Sequence, residues 1–374
     1  MLNFNSVYKF YYEWWKNIDK TLFILIIFLF SLGLFFSLVS TSLIASDKLD
    51  TNNYFFFFKH LAYIFIGIIV LIFFSSLSKE GLFKISFYLF LISLFFLFLV
   101  PILGTEVKGS KRWLNLFFIP RFQPVELVKP FIIIFISTIL CSEKNLNIYL
   151  KYLSTFIAIV PACLLLMMQP DIGQTLLIFL AWVTLVFISG ISLPIILTFF
   201  SFSLLSLVYL VFFIPKFTYI KNRILSFFNP NDGTHNFQSD KAIDAISSGG
   251  YFGKGIGEGT LKNRVPEAHT DYVISVISEE FGVVAIVLLL ILFLFFIYIV
   301  FKKIYVEKNE KIKLVLTGAI CLIIFQALIH IGVNIRLFPT TGMTLPFLSY
   351  GGSSIVGVSI LSGIILNLTK RIID

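Results

Sequence analysis

Long apolar stretches follow one another along this chain, separated by short polar gaps. A helix needs roughly 20 apolar residues to cross the hydrocarbon layer of a membrane. Ten stretches approach or exceed that length: 21–45, 55–77, 82–103, 127–142, 152–168, 174–192, 194–215, 272–301, 314–335 and 348–368. The fourth and fifth are short, so their ends are expected to reach into polar flanks. The eighth is long enough to tilt or protrude. The first is too long for a secretory signal, and no small-residue cleavage site follows it. Ahead of it, residues 8–16 mix Tyr and Trp with Lys and Glu, a composition suited to a helix lying at headgroup level. The expected fold is an all-α polytopic membrane protein. It forms one domain over 1–374, with an interfacial segment at 1–20, ten transmembrane helices, and a large extracytoplasmic loop at 216–270 between helices 7 and 8.

Composition agrees with the pattern. Hydrophobic residues make up 58% of the 374 positions and charged residues 13%, against about 25% charged in a soluble domain. The 46 Phe alone exceed what one soluble core of this length could hide, and a disordered chain would be polar and charge-rich. Cys141, Cys163 and Cys321 lie far apart inside apolar runs, which argues against a disulfide framework or a zinc site. The net charge of +9 points to anionic lipid or an anionic substrate rather than to nucleic acid, because the basic residues sit in short gaps between spans. Ten spans put both termini on one side. With both inside, Lys79, Lys84, Lys151, Lys302, Lys303 and their neighbours fall in inside loops, as the positive-inside rule favours. Nearly as many cations then fall outside, in two long loops and around Arg336, and they need an anion to explain them.

Three outside segments carry the candidate chemistry: the loops 104–126 and 216–270, and the short Pro-, Thr- and Gly-rich segment 336–347. The loop 104–126 contains Lys108, Arg112 and Trp113, cations and a ring that suit either phosphate oxygens at the interface or simple anchoring. It leads into Gln123, Pro124, Glu126 and Lys129. Glu126 and Lys129, three apart at a helix start, can pair with each other. Lys129 lies within a span, where a charge costs roughly 2.5–3.5 kcal/mol and should face a partner or a wet cavity. In Gln169-Pro170-Asp171-x-Gly173, Asp171 suits a helix cap, and equally a carboxylate aimed into a cavity where Lys129 neutralises it. The loop 216–270 holds a short surface helix around 237–246, ended by Gly249-Gly250. Alternating glycines follow at 253–259. No strand precedes them, so a dinucleotide-binding reading fails. Their amides beside Lys254, Lys262 and Arg264 suit a pyrophosphate, or mere loop flexibility. The segment Pro266-Glu267-Ala268-His269-Thr270-Asp271 runs into the eighth span. Asp271 sits at the helix start, where the dipole favours its ionised form, and an ionised carboxylate there can accept a hydroxyl proton. Capping by Thr270 or Asp271 is the plainer reading. Ser275 and Glu279 follow on roughly the same face. His269 is a second base candidate or a structural hydrogen-bonder. No phosphate-binding loop of the ATPase type and no serine nucleophile elbow occurs.

Taken in order, Lys108-Gly109-x-x-Arg112-Trp113, Gln123-Pro124-x-Glu126, Gln169-Pro170-Asp171-x-Gly173, Pro266–Asp271 and Leu345-Pro346-Phe347-Leu348-Ser349-Tyr350-Gly351-Gly352-Ser353-Ser354 resemble the SEDS family of bacterial cell-wall synthesis proteins, which comprises FtsW, RodA and SpoVE. Pro339–Pro346 and the carboxylate motif look more like its FtsW branch, and 240–245 with 255–260 like the alphaproteobacterial form. Val125 departs from the Ser often found after Gln-Pro, and Arg336 is a second departure. The resemblance implies a peptidoglycan glycosyltransferase acting on lipid II, with Asp271 as general base. It implies Lys108, Arg112 and Trp113 at the pyrophosphate and lipid neck, and Glu126, Lys129 and Asp171 shaping a polar cavity. Lys254, Lys262, Arg264 and His269 are further substrate-binding candidates. A divalent cation would share the leaving-group charge, although no dedicated cage for one is visible. The rival reading of the same residues is a lipid II flippase. Implied partners are an FtsI-like class B penicillin-binding protein and other divisome membrane proteins. The implied place is the bacterial cytoplasmic (inner) membrane at the division septum, with both termini cytoplasmic.

Overall fold

In the computed structural model, residues 4–41, 54–107, 110–116, 119–142, 147–228 and 237–370 are described. Lys48, Lys108, Lys144 and Arg371 lie outside the described residues. Helix α1 (Phe4–Asn17) precedes α2 (Lys20–Thr41), α3 (Phe55–Ser76) and α4 (Lys79–Leu103). A small sheet of β1 (Thr105–Val107), β2 (Ser110–Leu116) and β3 (Ile119–Phe122) leads to α5 (Val125–Leu140), α6 (Ile148–Met168), α7 (Ile172–Ile188) and α8 (Leu193–Phe213). Two shorter helices, α9 (Thr218–Phe228) and α10 (Phe237–Gly249), come before α11 (Val273–Val306), α12 (Glu310–Asn334) and α13 (Gly352–Leu368). Each of the ten apolar stretches coincides with a helix, within a few residues at either end.

Seven of these helices (α2, α3, α4, α6, α8, α11 and α12) are long and apolar enough to cross a membrane. The other three, α5, α7 and α13, have 16, 17 and 17 residues. They are largely buried among their neighbours, so polar side chains on them meet protein rather than lipid. Helix α13 packs along α3 through small residues: a Cβ added at Gly363 would come within 2.8 Å of Leu71 O, so a side chain there would push the two helices apart. At the other extreme, Val211 is the one buried residue of α8, which is otherwise largely exposed except for a half-buried strip that includes Ile195, Ile196 and Phe199.

Three details depart from the sequence expectation. The loop 104–126 contains strands, paired antiparallel in the order β1-β2-β3. The large loop carries a second helix, α9, besides the expected one, α10. Helix α11 is broken at Gly282 (φ 76°, ψ −177°), which separates a buried N-terminal segment from an outward-facing apolar one. The length of the eighth stretch therefore comes from two helical pieces joined at a kink. A Cβ at Gly282 would stand 2.3 Å from Tyr251 O, so both the positive φ and the close approach call for glycine here.

Candidate functional site

The segment Pro266–Asp271 does not cap α11. The first helical residue is Val273, and Tyr272 at the cap position makes no side-chain cap bond. Instead the backbone curls around Glu267. Its carbonyl accepts from the amides of Thr270 (3.1 Å), Asp271 (3.0 Å) and Tyr272 (3.3 Å), with Glu267 itself at φ 55°. This turn presents Glu267, His269, Thr270 and Asp271 to a cavity of about 790 Å³. Asn334 of α12 holds the turn from behind, donating to Asp271 O at 3.1 Å. The segment between α12 and α13 forms the facing wall. A Cβ added at Gly342 would lie 3.5 Å from Asp271 Oδ2 and 3.6 Å from Arg112 Nη1, so the carboxylate and the guanidinium flank the same glycine.

Arg112 on β2 is fixed in that position. Its Nε donates to Gln169 O at 3.2 Å and its Nη2 to Pro170 O at 2.5 Å. Its Nη1 lies 3.7 Å from Asp171 Oδ2. The sheet thus supplies a rigid arm that the helices alone lack. Trp113 also lines the cavity, with the Arg121 guanidinium over its ring at 5.4 Å.

Below these groups lies a buried polar chain. Lys129 pairs with Glu126 at 2.8 Å and donates to Gln326 Oε1 at 2.9 Å. Gln174 donates to the other oxygen of Glu126 at 2.9 Å. Both ionic groups are about 2% exposed, so each offsets the desolvation of the other. Asp171 does cap α7, accepting from the Gln174 amide at 3.4 Å, and its second oxygen accepts from Gln123 at 3.3 Å. The expected neutralisation of Asp171 by Lys129 is not what forms. Arg112 takes that place, because Glu126 lies one helical turn from Lys129 and claims its amine.

The structure therefore gathers Arg112, Trp113, Glu126, His269 and Asp271 around one cavity, with Lys129 and Asp171 bonded directly behind. Lys254, Lys262 and Arg264 do not line it. Lys262 is buried against Glu280 and also reaches Val39 O. Lys254 lies 3.5 Å from Glu279, and Arg264 is exposed. Glu279 accepts from the amides of Leu261 (2.9 Å) and Lys262 (2.6 Å). The glycine segment is therefore folded over two buried carboxylates of α11, and its amides and lysines are spent on them. Glu279 accordingly does not share a function with Asp271, and Ser275 bonds back to Tyr272 O. His269 packs against the rings of Phe56 (5.3 Å) and Tyr350 (5.6 Å), which also meet each other at 5.7 Å.

Sequence reasoning missed Lys59, Arg121 and Arg223, and gave Glu267 of the carboxylate motif no role of its own; all four line the cavity. Lys59 carried a legible signal, a cation within an apolar span. Arg223 did not. It comes from α9 and donates to Thr340 O at 2.8 Å across the loop, a contact only the fold creates. Among the described residues no three His, Cys, Asp or Glu side chains converge as a metal would require. The three cysteines are free.

The profile of the FtsW/RodA/SpoVE family, described as "Cell cycle protein", matches residues 20–372. The chain is 32% identical to the probable peptidoglycan glycosyltransferase FtsW of Caulobacter vibrioides, over 96% of this chain and 90% of that one. It is 33% identical to the FtsW of Nitrosomonas europaea, over 94% and 92%. Among solved structures, a chain from a peptidoglycan synthase complex, described for its coordination of polymerization and crosslinking, superposes with a TM-score of 0.76 at 25% identity. That match covers 94% of this chain and 97% of that one. Thermus thermophilus rod shape determining protein RodA superposes with a TM-score of 0.68, also at 25% identity, covering 94% and 96%. On this agreement of sequence and fold, the chain belongs to the FtsW/RodA/SpoVE family of cell cycle proteins.

Proposed function

We propose that the protein is a peptidoglycan glycosyltransferase that polymerises lipid II into glycan strands. The observation that carries this reading is that Asp271 and Arg112 both approach Gly342 within one large cavity lined by further cations. In the reaction, the 4-hydroxyl of the acceptor's GlcNAc attacks C1 of the donor's MurNAc. The new glycosidic bond forms as the bond from C1 to the lipid pyrophosphate breaks. Asp271 takes the hydroxyl proton as general base. The pyrophosphate leaves with the bonding electron pair, its charge met by Arg112 with Lys59, Arg121 and Arg223 around the same cavity. Trp113 offers an apolar face to the lipid neck. Among the described residues no set of His, Cys, Asp or Glu side chains fits a resident metal site.

The finer assignments are of the same kind. We take α5, α7 and α13 to complete ten crossings, with the cavity on the extracytoplasmic side and both termini in the cytoplasm. The solved relative described with crosslinking supports an FtsI-like class B penicillin-binding protein as partner. The FtsW relatives support a place at the division septum of the inner membrane. The test is polymerisation of labelled lipid II by the purified chain with its cognate partner. Asp271→Asn should lower the rate by about 10²-fold or more while the chain stays folded. Polymer at the parent rate would remove Asp271 from the chemistry. Lipid transfer across proteoliposomes without polymer would favour the flippase reading.

A further inference from the structure

Helix α12 is apolar for most of its length, yet three buried polar residues recur on it at intervals of four: Gln326, His330 and Asn334. That interval places them on one face, one above another. Two of them reach consecutive residues of one non-helical segment and the third reaches the Asp271 turn. Gln326 Nε2 donates to Thr344 O at 3.0 Å and lies 3.3 Å from Thr344 Oγ1. His330 Nδ1 stands 2.7 Å from Met343 O. A carbonyl only accepts, so Nδ1 carries the proton. Asn334 Nδ2 donates to Asp271 O at 3.1 Å and to His330 O at 2.9 Å. The bottom rung continues into the buried ion pair, because Gln326 Oε1 accepts from Lys129.

Irregular backbone at membrane depth must be satisfied by something, so a polar stripe could serve stability alone. What distinguishes this one is where its partners lie. Asp271, Met343 and Thr344 all line the cavity, and Gly342, next to the middle rung, is approached by both the Asp271 carboxylate and Arg112. We infer that Gln326, His330 and Asn334 are positioning residues. Their common helix face sets the gap between the Asp271 turn and the segment Gly342–Thr344, and so sets how closely an acceptor hydroxyl can approach the carboxylate. The inference rests on the reading of Asp271 as general base. None of the three is placed in contact with substrate; they act through the backbone they hold. Small displacements of a reacting pair can cost on the order of 10²-fold in rate, and a device that fixes such a gap should affect turnover more than binding.

The experiment measures lipid II polymerisation by the full chain with its partner over a range of substrate concentrations. Asn has an N–H at the same number of bonds from the backbone as His Nδ1, whereas Leu has none. His330→Leu should lower kcat by about tenfold or more with KM within about twofold, and His330→Asn should recover most of the loss. Asn334→Leu should resemble His330→Leu. Parent-like kcat in His330→Leu, or equal losses in His330→Leu and His330→Asn, would overturn the ladder. Should His330→Leu fail to fold, His330→Asn against His330→Gln decides. Gln carries its donor one methylene farther out, and equal kcat in the two counts against positioning. If Asp271→Asn is inactive while His330→Leu matches the parent, the base stands and the ladder falls.

Discussion

At the scale of single residues, Glu126 and Lys129 show how charges survive inside this protein. Each is almost wholly buried, and their pairing is extended by Gln174 on one side and Gln326 on the other. Removing one member leaves the other's charge uncompensated, which typically costs about 3–5 kcal/mol. Lys129→Met should therefore lower the unfolding midpoint sharply in detergent, and adding Glu126→Gln should restore much of it. A double variant no more stable than Lys129→Met would show that the pair is not the dominant interaction. The pairing itself was legible, since three residues is one helical turn. That Arg112, rather than Lys129, meets Asp171 was not, because the sheet carrying Arg112 gave no clear strand pattern.

At the scale of elements, the break in α11 has the largest consequences. Gly282 allows the buried segment with Glu279 and Glu280 to receive the glycine loop, with Val283 and Val284 amides donating to Gly250 O and Tyr251 O. Gly282→Ala must place a Cβ against Tyr251 O at positive φ, a strain of roughly 1–3 kcal/mol. The expected result is a lower unfolding midpoint together with faster hydrogen exchange across 250–262. Unchanged exchange would mean that the loop is held by its own contacts. From sequence, Glu279 looks like a neighbour of Asp271, and Lys254 and Lys262 look free for a phosphate. The first reading assumes that the helix already includes Asp271, whereas it begins at Val273; the second assumes an unoccupied loop.

At the scale of the whole molecule, distant parts of the chain meet away from the cavity. Trp14 of α1 donates to Ser75 at the end of α3. Asp19 pairs with Lys303 at the end of α11 at 2.7 Å. Asn367 near the end of α13 donates to the carbonyls of Phe74 (2.9 Å), Ser75 (3.3 Å) and Leu77 (2.7 Å). Lys370 lies beside this junction, and burial, with Lys79 nearby, pulls its amine from 10.5 down to about 8. Between those values the unfolded chain binds a proton that the folded chain has shed, so this group makes stability rise as pH increases from about 8 towards 10.5. The unfolding midpoint of the parent should gain more between pH 8 and pH 10 than that of Lys370→Met. Equal gains would place Lys370 in water.

The sequence alone determined the helical membrane architecture, the position of nearly every helix, and the motif that brings Asp271 to the start of α11. Those features are local: a crossing segment must be apolar over its own length whatever surrounds it, and a motif is read residue by residue. Tertiary structure decided which charges remain available. Ion pairs and hydrogen bonds act over a few ångströms through space, and their partners here lie tens to hundreds of residues apart in the chain. The fold therefore committed Lys254 and Lys262 to Glu279 and Glu280, brought Lys59 and Arg223 to the cavity, and set Arg112 in the same cavity as Asp271.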